Sequence, residues 1–229
     1  MSQRFDPGRV QGFFDKLADD YDAGKERQGY YYEYLIRIYK ERIPPGASVV
    51  DVGCGTGAIL EALKPARGLG LDLSPRMVEL ARSKHPGLEF RAEDIAKPAG
   101  VADPPYDYVL LSDVVEHLPD VDAALEGLKA YGGPKTRYVA TCINPLWAPV
   151  MHLAEALGLK LPEGDHQWIG LADLRALLEV HGYVLEEAVG RMLVPKKIPL
   201  VSAFFNGMTE KLPALRPLCM IQILTFRKK

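Results

Sequence analysis

The sequence predicts an α/β protein whose doubly wound, mostly parallel sheet of seven strands has helices on both faces. Short apolar runs alternate with amphipathic helical segments along the chain, as repeated βαβ units require. A glycine-rich turn joins the first strand to a helix, and the last predicted element is again a strand. The 229 residues are 48% hydrophobic and 25% charged, which suits one globular domain. No linker or internal repeat divides them, so we predict a single domain over residues 1–229.

Two helices are predicted before the first strand. Residues 5–28 carry apolar and aromatic side chains at helical spacing, which indicates a covering helix on the sheet: Phe13, Phe14, Leu17 and Tyr21. Tyr30 to Arg42 forms a second helix rich in tyrosine. Its tyrosines either line a substrate entrance or keep their rings buried with the hydroxyls in water. Pro44-Pro45-Gly46 ends this helix.

The most informative stretch is Val49 to Gly57, which reads Val-Val-Asp-Val-Gly-Cys-Gly-Thr-Gly. Its β-branched residues predict a buried strand, and its glycines predict a sharp turn that a ligand approaches closely. A helix from about Ala58 to Leu63 follows, and its first amide groups would point at that ligand. Dinucleotide sites normally have G-x-G-x-x-G, whereas this turn has G-x-G-x-G with Asp51 two residues before it. A carboxylate there would repel a pyrophosphate and favour a positively charged ligand.

The strand, the acid and the three alternate glycines together resemble the first motif of the class I S-adenosylmethionine-dependent methyltransferases. S-adenosylmethionine carries an ammonium and a sulfonium, which suit Asp51, so the same features disfavour an NAD-dependent oxidoreductase. The resemblance is specific over about residues 48–118 and generic in strand order beyond them. It implies a Rossmann-like fold with an antiparallel last strand, S-adenosylmethionine as the cofactor, and a methyl transfer that requires no metal.

The second strand supplies a further cofactor contact. Gly68 to Asp72 reads as a short strand with an acid at its end. A carboxylate at this place accepts hydrogen bonds from ribose hydroxyls in nucleoside-binding α/β folds. Ser74 is a good N-cap and Pro75 a good first residue for a helix that runs to about Lys84. We therefore predict that Asp72 holds the ribose rather than serving as a solvated turn acid.

The resemblance also assigns residues around the adenine and the methionine end. Residues 88–95 read as the third strand and its exit loop, where Asp94 matches the acid beside adenine, with Glu93 as the alternative. Ile95 would pack on the ring. Tyr21 would lie near the methionine end, and core packing is the equal alternative for it. The complete predicted cofactor set is Tyr21, Asp51, Gly53, Cys54, Gly55, Gly57, Asp72, Leu73, Met77, Asp94, Ile95, Ser112 and Asp113.

His117 is the predicted general base. Tyr106 to Asp113 reads as the fourth strand, and ligands of open α/β sheets lie beyond the carboxyl ends of the strands. An imidazole with an ordinary pKa near 6.5 would accept a proton from an acceptor hydroxyl near neutral pH. The alternative is that Glu116-His117-Leu118 opens the next helix and that His117 only packs locally.

The remaining regular elements complete the sheet. The helix after His117 is predicted to run through Leu125 to Tyr131, with Gly132-Gly133-Pro134 as its end. The later predicted elements are a fifth strand over Arg137 to Ile143, a helix over Leu171 to His181, a sixth strand over Tyr183 to Val189 and a last strand over Cys219 to Phe226.

Two stretches, Asn144 to Gly170 and Arg191 to Pro217, exceed what the sheet needs, and we predict that both form a lid on the acceptor side. The first includes a helix near residues 151–157. Its predicted acceptor contacts, for which completion of the core is the alternative, are Trp147, His152, His166 and Trp168. In the second, the apolar run Val201 to Phe205 is too short to span a bilayer. We expect it to pack beside the lid, with contact to a lipid surface as the alternative.

The predicted reaction is O-methylation of a small molecule, namely an apolar, aromatic, or saccharide- or lipid-linked biosynthetic intermediate. Methylation of nitrogen or carbon, and non-catalytic binding of the cofactor, are the alternatives. A net charge of −2 argues against a nucleic-acid partner held by broad electrostatics. Three widely spaced cysteines, and no apolar run that suits a signal peptide or a membrane span, predict a cytoplasmic protein with at most peripheral membrane contact. The oligomeric state is not predicted.

Overall fold

One seven-stranded sheet flanked by helices makes up the described part of the chain, residues 4–160 and 164–229, in this computed structural model. The strands are β1 (Ser48–Val52), β2 (Arg67–Asp72), β3 (Glu89–Ala92), β4 (Tyr106–Ser112), β5 (Gly132–Ile143), β6 (Tyr183–Arg191) and β7 (Ile221–Lys228). The helices are α1 (Pro7–Arg27), α2 (Gly29–Lys40), α3 (Ala58–Leu63), α4 (Pro75–Lys84), α5 (Val121–Gly127), α6 (Ala148–Ala156), α7 (Leu171–Val180) and α8 (Val201–Lys211).

The strand order across the sheet is β3-β2-β1-β4-β5-β7-β6. The pairs from β3 through β5 are parallel, while β7 lies antiparallel between β5 and β6. This topology confirms the predicted Rossmann-like sheet with a reversed last strand. The order changes direction between β1 and β4, so a crevice forms beyond their carboxyl ends, where open α/β sheets bind ligands.

The side chains of β1 alternate between two hydrophobic cores, one on each face of the sheet. Val50 and Val52 belong to the core that includes residues of α5 and α7, and Val49 belongs to the core that includes residues of α2 and α3. Burial on both faces explains why this strand is built from β-branched apolar residues. Asp51 interrupts the pattern with a carboxylate that is 1% exposed, and packing gives no reason for it.

Two predicted boundaries around the fourth and fifth strands were wrong. Residues 132–134 do not end a helix but begin β5, where Gly132 pairs with Tyr106 and the register shifts before Tyr108. The preceding segment is also split. Val115–His117 is a single turn of 3-10 helix, and α5 begins at Val121 with Asp120 as its N-cap. His117 is therefore the last residue of this 3-10 turn, beyond the carboxyl end of β4, and does not lie inside α5.

Polar contacts hold α1 across the carboxyl end of the sheet, against α4. The hydroxyl of Ser74, which caps α4, donates to Asp15 of α1. Arg76 and Lys84 of α4 form ion pairs with Asp19 and Asp22 of α1. The covering helix predicted for residues 5–28 is thus confirmed, and it lies over the crevice between β1 and β4.

The second long connection contains α8, a helix that the sequence did not predict. The expectation that Val201 to Phe205 packs beside the lid was wrong for the larger residues of the run. Phe204 is 63% exposed, and Phe205 and Val201 are both 40% exposed. Within the described residues, no helix combines the length and the apolar character that crossing a bilayer demands.

Candidate active site

A cavity of about 910 Å³ lies at the carboxyl ends of β1 and β4. Among the described residues, its wall includes all of the predicted cofactor set except Gly57. The members on the wall are Tyr21, Asp51, Gly53, Cys54, Gly55, Asp72, Leu73, Met77, Asp94, Ile95, Ser112 and Asp113. The ends of β1, β2, β3 and β4, together with α1 and α4, bring these residues from separate parts of the chain to one place.

The glycine turn is required by both conformation and space. Gly53, Gly55 and Gly57 have φ angles of 72°, 52° and 84°, which residues other than glycine rarely adopt. A Cβ on Gly55 would lie 2.9 Å from the ring of Tyr21, which packs directly on the turn. A Cβ on Gly57 would lie 2.7 Å from the ring of Phe90. Gly57 therefore supports the turn from behind, while Gly53 and Gly55 face the cavity.

Asp51 is a buried carboxylate on the cavity wall. Its Oδ1 atom has no hydrogen-bond partner among the described residues. Burial raises the pKa of Asp51 to about 7, the positive charge of Lys25 lowers it, and the charge of Asp72 raises it. A buried carboxylate that lacks a partner carries a large desolvation cost, which a positively charged ligand would offset. The site thus fits the ammonium or sulfonium of S-adenosylmethionine.

Asp72 is held by backbone amides at the end of β2. Its Oδ2 accepts from the amide of Gly55 at 2.8 Å, and its Oδ1 accepts from the amide of Ser74 at 2.9 Å. Burial raises the pKa of Asp72, while the two amide bonds act in the opposite direction. Each carboxylate oxygen has a second lone pair, so the same group has acceptor capacity for ribose hydroxyls.

The two acids after β3 have different surroundings. Glu93 accepts hydrogen bonds from the hydroxyl of Tyr131 and from the amide of Ala99, so its carboxylate is engaged with the protein. Asp94 accepts one bond, from the amide of Ala96 at 3.0 Å, and Ile95 beside it is buried. This arrangement favours Asp94 over Glu93 as the residue that would meet the adenine amino group.

A hydroxyl network at the end of β4 ties α2 to the cavity. The hydroxyl of Tyr31 donates to Asp113 Oδ2 at 2.7 Å, and the hydroxyl of Thr141 donates to Asp113 Oδ1 at the same distance. Tyr39 hydrogen-bonds to Ser112 and Thr141. Asp113 has a φ of 49°, so this network fixes an unusual backbone conformation at the site. The sequence indicated tyrosines near an entrance but not this contact.

Lys25 is a cavity residue that the sequence analysis missed. Its ammonium lies 4.4 Å from the ring centre of Tyr21 and 4.7 Å from that of Tyr32. Lysine on a surface helix normally indicates a solvated face, and the spacing of four residues from Tyr21 is the only local signal. A cation held between two rings at this wall suits an anionic group of a ligand, such as a carboxylate.

His117 reaches the cavity from the loop after β4. Its Nδ1 lies 3.3 Å from the carbonyl oxygen of Asp165. Because a carbonyl oxygen only accepts, Nδ1 is the donor in this hydrogen bond. The rings of Phe14 and His166 contact the imidazole edge to face, at 5.6 and 5.5 Å between centres. Contacts from α1 and from the segment before α7 thus hold the imidazole where it lines the cavity.

The structure does not bring the four predicted acceptor residues to the described cavity wall. His152, Trp168 and His166 form a chain of ring contacts that ends on His117. Trp147 donates from Nε1 to the carbonyl of Leu218, and both tryptophans pack against the core. The described wall on this side consists of other residues of the two connections: Val150, Met151, Ala154, Gly158, Leu159, Lys160, Pro195, Lys196 and Lys197.

The fold and this cavity define an S-adenosylmethionine-dependent methyltransferase. The chain belongs to a family described as methyltransferase domain, whose sequence model matches residues 24–188. It is 32% identical over 170 residues to the ubiquinone biosynthesis O-methyltransferase of Xylella fastidiosa (strain 9a5c), an alignment that covers 68% of each chain.

Two solved structures show the same fold at low sequence identity. One is an S-adenosylmethionine-dependent methyltransferase from Thermotoga maritima, with a TM-score of 0.73, 16% identity and coverage of 96% of this chain and 100% of the other. The other is the magnesium protoporphyrin IX methyltransferase of Synechocystis PCC 6803 with bound S-adenosylmethionine, with a TM-score of 0.57, 18% identity and full coverage of both chains.

Proposed function

We propose that the protein methylates an oxygen atom of a small acceptor that has an apolar or aromatic body. The main support is that His117 and the unpartnered Asp51 carboxylate line one cavity whose remaining wall is largely aromatic and aliphatic. The aromatic and aliphatic part of this wall suits the apolar body of a ligand, and the charged side chains of the wall would fix its orientation. A relative with 32% identity is named for O-methylation, which agrees with an oxygen acceptor.

The cofactor end of the cavity would hold S-adenosylmethionine through the predicted residues. Asp51 would neutralise the positive end, and Lys25 would pair with the carboxylate of the amino acid group. Asp72 would accept the ribose hydroxyls, while Asp94 and Ile95 would recognise adenine. When bound, S-adenosylmethionine supplies a methyl group on a positively charged sulfur, which is already a good leaving group.

The acceptor end would align the hydroxyl and exclude water. Phe14 from α1 and Met151 from α6 give this part of the wall an apolar surface. Nε2 of His117 would take the proton of the acceptor hydroxyl as oxygen becomes the nucleophile. His166 and the carbonyl of Asp165 would keep the ring in orientation, so they are positioning groups rather than reacting ones.

The proposal is tested by methyl transfer from isotope-labelled S-adenosylmethionine to a panel of matched acceptors. Each apolar or aromatic body is offered with a hydroxyl, an amine or a carbon nucleophile, and mass spectrometry locates the label. The variants are His117→Gln and, as the matched control, His152→Gln, because His152 is off the described cavity wall. Cofactor affinity is measured in parallel by calorimetry.

We expect label on oxygen, with turnover lost in His117→Gln and kept in His152→Gln at unchanged cofactor affinity. Label on nitrogen or carbon alone would overturn the oxygen assignment. Equal turnover of wild-type protein and His117→Gln would overturn the role of the base. Tight cofactor binding without transfer to any acceptor of the panel would favour the non-catalytic alternative.

A further inference from the structure

Exposed apolar side chains are concentrated in the two connections beside the cavity. Fourteen large hydrophobic residues are exposed in the described part of the chain, and all but Val101 and Val180 lie in residues 146–159 or 198–218. The members of this apolar surface are Leu146, Val150, Leu153, Leu157, Leu159, Ile198, Leu200, Val201, Phe204, Phe205, Leu212 and Leu218. Scattered exposed apolar residues are normal, but a set confined to neighbouring segments marks an interaction site.

Helix α8 has a polar face toward the protein and an apolar face toward the outside, the opposite of an ordinary amphipathic surface helix. Its buried residues Ser202, Asn206 and Thr209 recur at helical spacing and are polar, whereas Phe204 and Phe205 face outward. Surface helices of globular proteins present their apolar stripe to the core. An inverted stripe therefore indicates that the outer face of α8 meets an apolar medium.

The polar inner face of α8 is fixed by specific hydrogen bonds. Asn206 Oδ1 accepts from the amides of Leu193 and Val194, and Asn206 Nδ2 donates to the carbonyl of Val194 and to the hydroxyl of Tyr30. These four bonds use the full capacity of the side-chain amide. Rotating the helix to bury its phenylalanines would break them, so the outward apolar face is built into the fold.

Basic residues flank these two segments in a protein whose net charge is negative. Residues 146–159 and 198–218 themselves carry two basic residues and two glutamates, and extending them to Lys160 and back to Arg191 adds four lysines and arginines, while the whole chain carries −2. Lys196 and Lys197 are exposed and immediately precede the apolar residues Ile198 and Leu200. Basic residues beside exposed aliphatic and aromatic side chains are the composition of segments that lie on anionic lipid.

The apolar surface also reaches the cavity. Val150 and Leu159 belong to both, and Lys196 and Lys197 line the cavity from the other connection. A protein partner on this face would cover the acceptor side of the cavity. A bilayer, in contrast, would deliver an acceptor with an apolar tail directly to it.

We propose that the protein docks on anionic membranes through α6, α8 and the residues flanking them, with the acceptor side of the cavity turned toward the lipid. Docking itself requires neither cofactor nor acceptor. The further statement, that the acceptor enters from the bilayer, rests on the function proposed above and deepens it to acceptors with a lipid-soluble tail.

Vesicle flotation tests the docking without any measurement of activity. Purified full-length protein is mixed with vesicles of phosphatidylcholine alone or with about a third phosphatidylglycerol. The test variant is Leu200→Ser/Phe204→Ser, and the matched control is Val101→Ser/Val180→Ser, which removes equally exposed apolar residues elsewhere. Circular dichroism and cofactor affinity verify that each variant is folded.

We expect wild type and the control to float with anionic vesicles and the test variant to partition about tenfold less. Lys196→Glu/Lys197→Glu should weaken binding to the anionic vesicles more than to phosphatidylcholine. Wild-type protein that stays unbound in both preparations overturns the proposal. So does a wild-type dimer in sedimentation that the test variant dissociates, because a second copy then covers the face. Equal flotation of the test variant and the control overturns the assigned surface.

Delivery of the acceptor from the bilayer is tested separately, by comparing turnover rates with two kinds of acceptor. With a water-soluble acceptor, Leu200→Ser/Phe204→Ser should turn over at the wild-type rate. With a tailed acceptor dissolved in anionic vesicles, its rate should fall by the same factor as its partitioning. Equal rates from vesicles for the variant and wild type would refute delivery from the bilayer, even where docking is confirmed.

Discussion

Replacing Asp51 with asparagine should weaken cofactor binding and, above neutral pH, raise the stability of the ligand-free protein. The carboxylate is buried in the ligand-free protein with a pKa of about 7, and one of its oxygens has no hydrogen-bond partner among the described residues. A positively charged ligand needs the ionised form, so protons compete with S-adenosylmethionine for this group. In Asp51→Asn that competition disappears together with the charge.

The magnitude of the binding effect follows from the pKa. About half of the Asp51 side chains are ionised at pH 7 and roughly 3% at pH 5.5, so the wild-type Kd should rise about fifteenfold between these pH values. The α-amino group of the ligand stays charged throughout this range. Asp51→Asn should bind about ten- to hundredfold more weakly at pH 7, because a charge-assisted bond contributes about 1.5–3 kcal/mol. Its Kd should lack this pH dependence.

The effect on stability has the opposite sign. The pKa of Asp51 in the folded protein is raised above the value of 3.8 for an unperturbed aspartate, so the folded state binds more protons between about pH 4 and pH 7. The free energy of unfolding therefore falls as pH rises through that window, by at most on the order of 4 kcal/mol. At high pH, Asp51→Asn removes this loss of stability, but burying the asparagine amide costs about 1–3 kcal/mol and offsets part of the improvement. The Tm of ligand-free Asp51→Asn should thus rise by a few degrees at pH 8 and not at pH 5.

Calorimetric titration at pH 5.5 and 7 and thermal unfolding at pH 5 and 8 measure both effects. Asp107→Asn is the control for stability, because hydrogen bonds from Ser48 lower the pKa of Asp107, and its removal should destabilise the protein at pH 8. Wild-type affinity with unchanged pH dependence in Asp51→Asn would refute the role of Asp51 in cofactor binding. A loss of stability at pH 8 in this variant would contradict the predicted rise in Tm, since burial would then not be the source of the raised pKa.

Three further predictions concern single residues. His117→Gln should lower kcat by at least about a hundredfold and leave the Kd of the cofactor within twofold, and wild-type turnover in the variant would contradict the role of the base. Gly57→Ala should destabilise the protein by about 1–3 kcal/mol more than Gly182→Ala in urea unfolding, because both glycines have positive φ but only Gly57 has a ring within 3 Å of the added Cβ. Equal losses would show that conformation alone sets the cost. For His181, burial lowers the pKa but hydrogen bonds to two carboxylates of α5 outweigh it, so the pKa is raised. Its stabilisation is complete below about pH 6.5 and is lost as pH rises through the raised pKa, so His181→Gln should lower Tm at pH 5.5 and much less at pH 9. A larger loss at pH 9 would contradict this.

The sheet was predictable because the residue pattern within each strand indicates that strand without information from distant segments. β1 is buried on both faces and therefore consists of β-branched residues, and the glycine turn after it is contiguous in sequence. The position of Asp51 and Asp72 at the cavity was predictable for the same reason, since each ends or interrupts a strand whose direction fixes where its side chain lies. A prediction was wrong where pairing between distant residues outweighs the local sequence signal. At Gly132, pairing with Tyr106 extends a strand through a sequence that is typical of a helix end.

The acceptor side was less predictable because its contacts join distant segments. Tyr31 meets Asp113 across 82 residues, and no periodicity in either segment encodes that hydrogen bond. Trp147 and Trp168 were assigned to the acceptor from their type and their place in a long connection. Both pack on the core, as the alternative reading held, and smaller residues from the same connection form the described wall. Residue type in a loop therefore predicts that a lid exists but not which side chains face the ligand.

Two departures from ordinary burial mark the surfaces where we place function. Asp51 is a carboxylate at a buried position where apolar side chains normally pack. Helix α8 has phenylalanines at exposed positions where polar side chains are normally found. Each lowers the stability of the isolated protein, so neither follows from folding requirements alone. A positively charged ligand in the cavity would offset the first, and an apolar medium outside it would offset the second. Because Val150 and Lys196 line the cavity from the connections that carry the outer surface, the proposed docking face and the proposed cofactor carboxylate would lie on one route from a lipid surface into the cavity.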